Sequence, residues 1–364
     1  MRSFLHDRGI QLLIASVASC VLLATVGCER GDSTVEERFE GPIMGTQYHV
    51  TVVSEVGELN PDERQALQQA VVHQLDTVNS SMSTYIDESE LSRFNASSSV
   101  EPFEVSSSLL EVAREAQRIH RWSRGAFDPT VGPLVDLWGF GPSQRAESLP
   151  GDDEVETLLQ LVGYDKLVVT SSPATLRKLN PQLELDLSAI AKGYAVDLVA
   201  EELEQQGYSR YLVEVGGELR TAGVNARGEA WRIGIERPET GRRELQDIIA
   251  LSGLSLATSG DYRNFYEIDG QRYSHTLDPR TGRPVTHPGA SVTVISDRCI
   301  SADGYATALL ALGPDDGFEL AVEEELAALF LIYHEGAVLE RPTPAFQSIF
   351  HPEELAAEGQ GAEP

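Results

Sequence analysis

Cys299–Gly313, CISADGYATALLALG, followed directly by Pro314, is the segment from which the fold of this chain can be worked out. Its pattern predicts a helix, with Ser301 as N-cap, Gly313 just past the last turn and Pro314 as the stop. Ala302, Tyr305, Ala306, Leu309 and Leu312 recur at helical spacing, so their side is expected to face a core. Asp303 and Thr307 lie one turn apart on a neighbouring face, near the positive end of the helix dipole. A carboxylate and a hydroxyl so placed can hold a hard cation. Taken alone they read first as an acid serving the dipole and a threonine in packing, because a short pattern is weak evidence by itself.

The rest of the chain sets the limits. Its 364 residues, 41% of them hydrophobic, are enough for one large domain or two intimate lobes with a substantial core. Lys and Arg number 28 against 57 Asp and Glu, a formal charge of −29. That balance disfavours nonspecific contact with nucleic acid or anionic lipid, both of which need clustered cations.

The first residues carry an address. Arg2 and Arg8 form a basic start, Ile10 to Val26 a mostly apolar run, and small residues lead to Cys28. This resembles a bacterial lipoprotein signal peptide over residues 1–27, cleaved after Gly27 and lipidated on Cys28. An uncleaved anchor is the alternative, but Ser16 and Ser19 interrupt a run already short for a span. The expected location is the periplasmic face of a bacterial membrane, the inner one, with residues 28–40 as a polar tether. Cys20 then leaves with the signal and Cys299 remains alone, so no disulfide framework or thiolate metal site is available. Cys299 reads as a buried packing residue.

A domain over residues 41–350 and a frayed tail over 351–364 are expected next. Tyr48–Val53 alternates like a half-buried strand, and Asn60-Pro61-Asp62-Glu63 opens an amphipathic helix through Leu67, Val71, Leu75 and Val78. Met82–Asn95 reads as a polar connection, Ser107–Arg121 as a helix, and Gly125–Gly141 as a shaped loop in which Pro129 holds Asp128 extended. Strand-like residues ending at Asp186 lead through Ser188-Ala189 into a helix with Lys192 in its first turn and Gly207 behind it. Such a turn is a natural phosphate-binding arrangement, although neither the Walker A spacing nor a G-x-G-x-x-G segment is present. Strands follow at Tyr211–Val215, Leu219–Ala222, Trp231–Ile235 and Leu254–Thr258. Asn264–His275 reads as a hairpin turning at Asp269-Gly270, then comes the loop His275–Pro284. Ala290–Ile295 and Ala328–Tyr333 are further strands, and Phe318–Leu326 a helix. Strand pairs with packed helices predict an α+β fold rather than a doubly wound sheet.

These segments together resemble the ApbE family of flavin transferases. The resemblance runs from Gly41 to Leu339 and rests on IMGT (Ile43–Thr46), MSTY (Met82–Tyr85), GAFDPTVGPL (Gly125–Leu134) and LDLSAIAKGYAVD (Leu185–Asp197). EVGGELR (Glu214–Arg220), ATSGDYRNF (Ala257–Phe265), SHTLDPRTGRP (Ser274–Pro284) and SADGYATAL (Ser301–Leu309) complete it. It implies a T-fold-like α+β domain that binds Mg²⁺, takes FAD as donor and attaches FMN through a phosphoester to a Thr or Ser of another protein. That partner is expected to be an exported flavoprotein subunit of a membrane redox complex. Carried onto this chain, the resemblance puts Met44, Tyr85, Ala126, Phe127, Asp128, Asp186, Lys192 and Leu277 against FAD. It puts Mg²⁺ on the Ala189 carbonyl, Asp303 and Thr307. Some family members have Glu where this chain has Lys192.

For that chemistry a neutral histidine near the phosphates can accept the hydroxyl proton, and His275 is the candidate; bracing the hairpin loop is its other reading. With water as acceptor the same site becomes an FAD pyrophosphatase giving FMN and AMP. Without cleavage the protein is an FAD-binding lipoprotein. The motifs do not separate these, since the attacking group comes from outside the chain.

Overall fold

The computed structural model describes residues 34–141, 149–238, 244–262, 264–268 and 270–350. The expected signal peptide, Cys28 and the expected tail over 351–364 lie outside the described residues. In chain order the first half holds β1 (Val35–Ile43), β2 (Thr46–Ser54), α1 (Pro61–Met82), α2 (Glu90–Ala96), β3 (Phe103–Glu104), α3 (Ser107–Trp122), α4 (Gly132–Leu137), α5 (Asp152–Leu159), β4 (Leu167–Ser171) and β5 (Ala174–Lys178). Then come α6 (Ala191–Gln205), β6 (Tyr211–Val215), β7 (Glu218–Ala222), β8 (Trp231–Glu236), β9 (Leu245–Leu251), β10 (Ser255–Gly260), β11 (Phe265–Ile268) and β12 (Gln271–Ser274). The chain continues with β13 (Leu277–Asp278), β14 (Arg283–Pro284), β15 (Gly289–Ser296), α7 (Cys299–Leu312), α8 (Asp316–Glu323), β16 (Ala327–His334), β17 (Ala337–Pro342) and α9 (Pro344–Phe350).

Eight strands make one sheet in the order β1-β2-β6-β7-β10-β15-β16-β17, every neighbouring pair antiparallel. The alternation of strand side chains divides the core between its two faces. Leu256, Ile295 and Leu329 join Trp231, Ile233 and Ile249 of the β8–β9 hairpin and Phe346 of α9. Their neighbours in sequence, Ala257, Val294 and Phe330, pack instead on Ala302, Ala306 and Leu309 of α7. Farther along, Val50, Val52 and Val213 take α1 and α6. The α+β expectation holds.

Local chemistry explains several boundaries. Asn60 accepts from the Asp62 and Glu63 amides at 3.0 Å and Glu63 answers the Asn60 amide, a complete capping box with Pro61 at the first helical position. Among the described residues no helix is long and apolar enough to cross a membrane.

The structure corrects the sequence reading at several points. The chain is already in β1 at Val35, inside the stretch expected to be tether. Glu90–Ala96 and Gly132–Leu137 are short helices within segments read as connections. No strand ends at Asp186: Asn95 takes the place of a neighbouring strand, accepting from the Leu185 amide (2.9 Å) and donating to the Leu185 carbonyl (2.8 Å). Helix α7 begins at Cys299, not Ser301, with no cap from the side chain of Arg298, and Ser301 inside it donates to Glu115. It is buried on nearly every side, Asp303 included at 2% exposure, rather than on one face. Gly313 does close it, at φ 89°. Cys299 is fully buried, as expected of a packing residue.

Candidate active site

The site lies where the start of α6, the middle of α7 and the β6–β7 turn converge on the loop that follows α3. They enclose a cavity of about 510 Å³, within the range of small-molecule sites. Tyr85, Ala126, Phe127, Asp128, Asp186, Ala189, Lys192, His275, Leu277, Asp303 and Thr307 all line it. Met44 is the exception. It sits at the β1–β2 turn at φ 48°, half-buried against the main core, and is not among the cavity-lining residues.

The loop after α3 is held by Asp128, extended as the pre-proline position requires (φ −146°, ψ 108°). One carboxylate oxygen accepts from the Thr130 amide and hydroxyl at 2.8 and 2.7 Å, and the other from the Tyr164 amide at 3.0 Å. These bonds give the carboxylate a part in shaping the wall. Asp186 behaves similarly, accepting from the Ser188 amide at 2.8 Å and bending the chain into α6.

Helix α6 starts at Ala191 with Ile190 as its N-cap, so Ala189 lies just ahead of it. The Gly193 amide, in the first turn, donates to Asp303 Oδ2 at 2.9 Å. Ala189, ahead of that start, lines the cavity wall. Asp303 Oδ1 remains, 3.8 Å from Lys192 Nζ, and Thr307 one turn along shares a 3.0 Å hydrogen bond with Ser259. A carboxylate, a hydroxyl and a peptide carbonyl form an all-oxygen donor set suited to a hard divalent cation. Among the described residues no cluster of three or more His, Cys, Asp or Glu could hold a metal, so softer ions lack their usual ligands. The donor set fits Mg²⁺.

Lys192 Nζ also lies 3.0 Å from Glu218 Oε1. Glu218 opens β7 straight after Gly216-Gly217 and is 4% exposed, and its Oε2 has no hydrogen-bond partner among the described residues. Burial pushes its carboxyl upward, and the Lys192 ammonium opposes the shift while Asp303 adds to it. Burial alone would lower Lys192, but Asp303 and Glu218 outweigh it and keep the ammonium charged. The cavity thus holds a fixed cation between two carboxylates.

His275 follows β12 and is half-buried. Its Nδ1 lies 2.9 Å from the Asn264 carbonyl, so in the neutral ring Nδ1 carries the hydrogen and Nε2 the lone pair. Burial lowers its pKa, the Asn264 carbonyl resists, and Lys192 lowers it further. The bracing reading of His275 is seen at Nδ1, and in that tautomer Nε2 is the nitrogen with the lone pair. Sequence reasoning missed Glu218, Ser259 and Asn264. Only the carboxylate directly after a Gly-Gly turn offered a signal.

The ApbE family model matches residues 44–330. An FAD:protein FMN transferase of Vibrio cholerae is 42% identical over 334 residues, covering 92% of this chain and 97% of that protein. Two solved structures are also similar. The flavin transferase ApbE from Vibrio cholerae has a TM-score of 0.80 at 40% identity, covering 87% of this chain and all of the other (100%). The apo flavinyl transferase ApbE of Pseudomonas stutzeri has a TM-score of 0.79 at 38% identity, covering 87% and 97%.

Proposed function

The chain belongs to the ApbE family, and from that membership we propose that it is a Mg²⁺-dependent FAD:protein FMN transferase acting on exported flavoprotein subunits. The observation that carries the reading is one cavity uniting a histidine with a lone pair on Nε2, an ammonium held between two carboxylates and an all-oxygen donor set. Tyr85 at the cavity, 70% exposed, offers a planar face to an isoalloxazine ring. The Ala126–Asp128 wall supplies shape, and Lys192 a charge for the pyrophosphate.

Mg²⁺ would be held by Asp303, Thr307 and the Ala189 carbonyl, and when bound it supplies charge neutralisation on the phosphate oxygens. The acceptor hydroxyl attacks the phosphorus that bears riboflavin. A new P–O bond forms, the anhydride P–O bond breaks, AMP leaves with the bridging oxygen, and the hydroxyl proton passes to His275 Nε2. Lys192 holds the phosphates in place while Asn264 fixes the ring that takes the proton.

Export supports the acceptor class. The basic start, apolar run and Cys28 support reading the enzyme as a lipoprotein on the periplasmic face of the inner membrane, within reach of acceptors of membrane redox complexes there. Incubating the protein with FAD, Mg²⁺ and an exported flavoprotein subunit, then weighing the subunit, tests the proposal. An FMN-sized addition on Thr or Ser supports transfer. Free FMN beside an unmodified subunit supports hydrolysis, and intact FAD supports binding alone.

A further inference from the structure

Helices α6 and α7 are joined twice, one turn apart. At the first joint the Gly193 amide of α6 donates to Asp303 of α7. The helices approach so closely there that a Cβ on Gly193 would lie 2.4 Å from the Cys299 carbonyl oxygen and 2.8 Å from Asp303 Cβ. At the second joint Asp197 of α6, fully buried, receives the Cys299 amide on Oδ1 and the Ile300 amide on Oδ2, each at 3.0 Å. Helix α7 has no capping side chain of its own, so a residue 102 positions upstream does that work. Arg220 lies 3.1 Å and Arg298 3.6 Å from the same carboxylate and offset its burial.

We propose that Asp197 is a positioning residue for the metal: gripping the first turn of α7, it sets the register at which the Gly193 amide meets Asp303. The argument rests on the metal assignment made above. Both carboxylate oxygens of Asp197 are needed for the grip, one per amide. A side chain offering one acceptor leaves one of the two amides unpaired and loosens the register of the first turn, and Asp303 and Thr307 ride on that helix. Partners that orient metal ligands from outside the coordination sphere are worth about ten-fold to a hundred-fold in affinity. A purely structural Asp197 would change stability and leave the affinity of folded protein alone.

The test is calorimetric titration of the purified full chain with Mg²⁺ alone, in wild type and in Asp303→Ala, Asp197→Asn and Arg220→Gln. Asp303→Ala is expected to abolish the binding heat; if it binds as wild type does, the metal assignment itself fails. Asp197→Asn is expected to weaken Mg²⁺ by about ten-fold or more, with transfer returning to within a few-fold of wild type at saturating Mg²⁺. Arg220→Gln removes the ion pairs to Asp197 and Glu204 but spares the two amide contacts, so it should lower the melting temperature and leave Mg²⁺ affinity unchanged. Should Asp197→Asn not fold, Asp197→Glu keeps the charge facing both arginines while shifting the carboxylate by a methylene, and the same loss is expected. Wild-type Mg²⁺ affinity in a folded Asp197 variant overturns the proposal, as does an equal loss in Arg220→Gln.

Discussion

Replacing His275 with alanine separates the two jobs this residue performs. The bracing contact is one hydrogen bond from Nδ1 to the Asn264 carbonyl at 2.9 Å, and the His275 backbone amide reaches that carbonyl as well, at 3.1 Å. Losing the side chain leaves the backbone contact, so folding should weaken by only about 1 kcal/mol. The ring also meets Phe140 edge-on at 6.3 Å between centroids, a contact of similar or smaller worth. Catalysis should suffer far more. A positioned general base contributes about 10²- to 10⁴-fold, or roughly 3–5 kcal/mol on the barrier. The assay is the initial rate of FMN attachment at saturating FAD and Mg²⁺, with FAD affinity and melting temperature measured on the same preparation. A rate within a few-fold of wild type, with the same pH dependence, would refute the proton-acceptor assignment.

Other outcomes follow from the same geometry. Burial holds His275 below its ordinary 6.5, so wild-type transfer should be flat around neutrality and fall only as pH drops through a value under 6.5, where the ring gains its proton. A pH–rate profile reads this. Asp303→Asn keeps an acceptor for the Gly193 amide but removes the charge, so the fold should persist while turnover becomes unresponsive to Mg²⁺, seen by titrating the metal in the transfer assay. Stripping Mg²⁺ with EDTA should stop transfer and leave circular dichroism unchanged. In the core, Leu75→Ala removes a fully buried side chain of α1 and should cost about 2–5 kcal/mol in denaturant unfolding.

What the sequence made legible, and what it hid, divides by the range of the interaction. The capping box at Asn60 and the glycine stop at Gly313 are local, and both appear as read. The start of α7 was misplaced because its cap comes from Asp197, far away in the chain. LELDL alternates as a strand does, yet its backbone is satisfied by the side chain of Asn95 and by a 2.7 Å bond from the Asp186 amide to the Pro129 carbonyl. The strand β9 escaped notice because only two of its residues, Ile249 and Leu251, are buried. Asp303 and Thr307 were ambiguous alone. They gained meaning only beside Ala189 and the glycine amide that ties Asp303 to the other helix.

One cavity is proposed to move FMN from FAD to a protein hydroxyl, with AMP as the leaving group. A single-turnover reaction of wild-type protein with FAD, Mg²⁺ and an acceptor subunit measures it most directly, by counting AMP released against FMN bound to the subunit. One AMP for every attached FMN is the predicted result. AMP matched by free FMN, with the subunit unmodified, would contradict it.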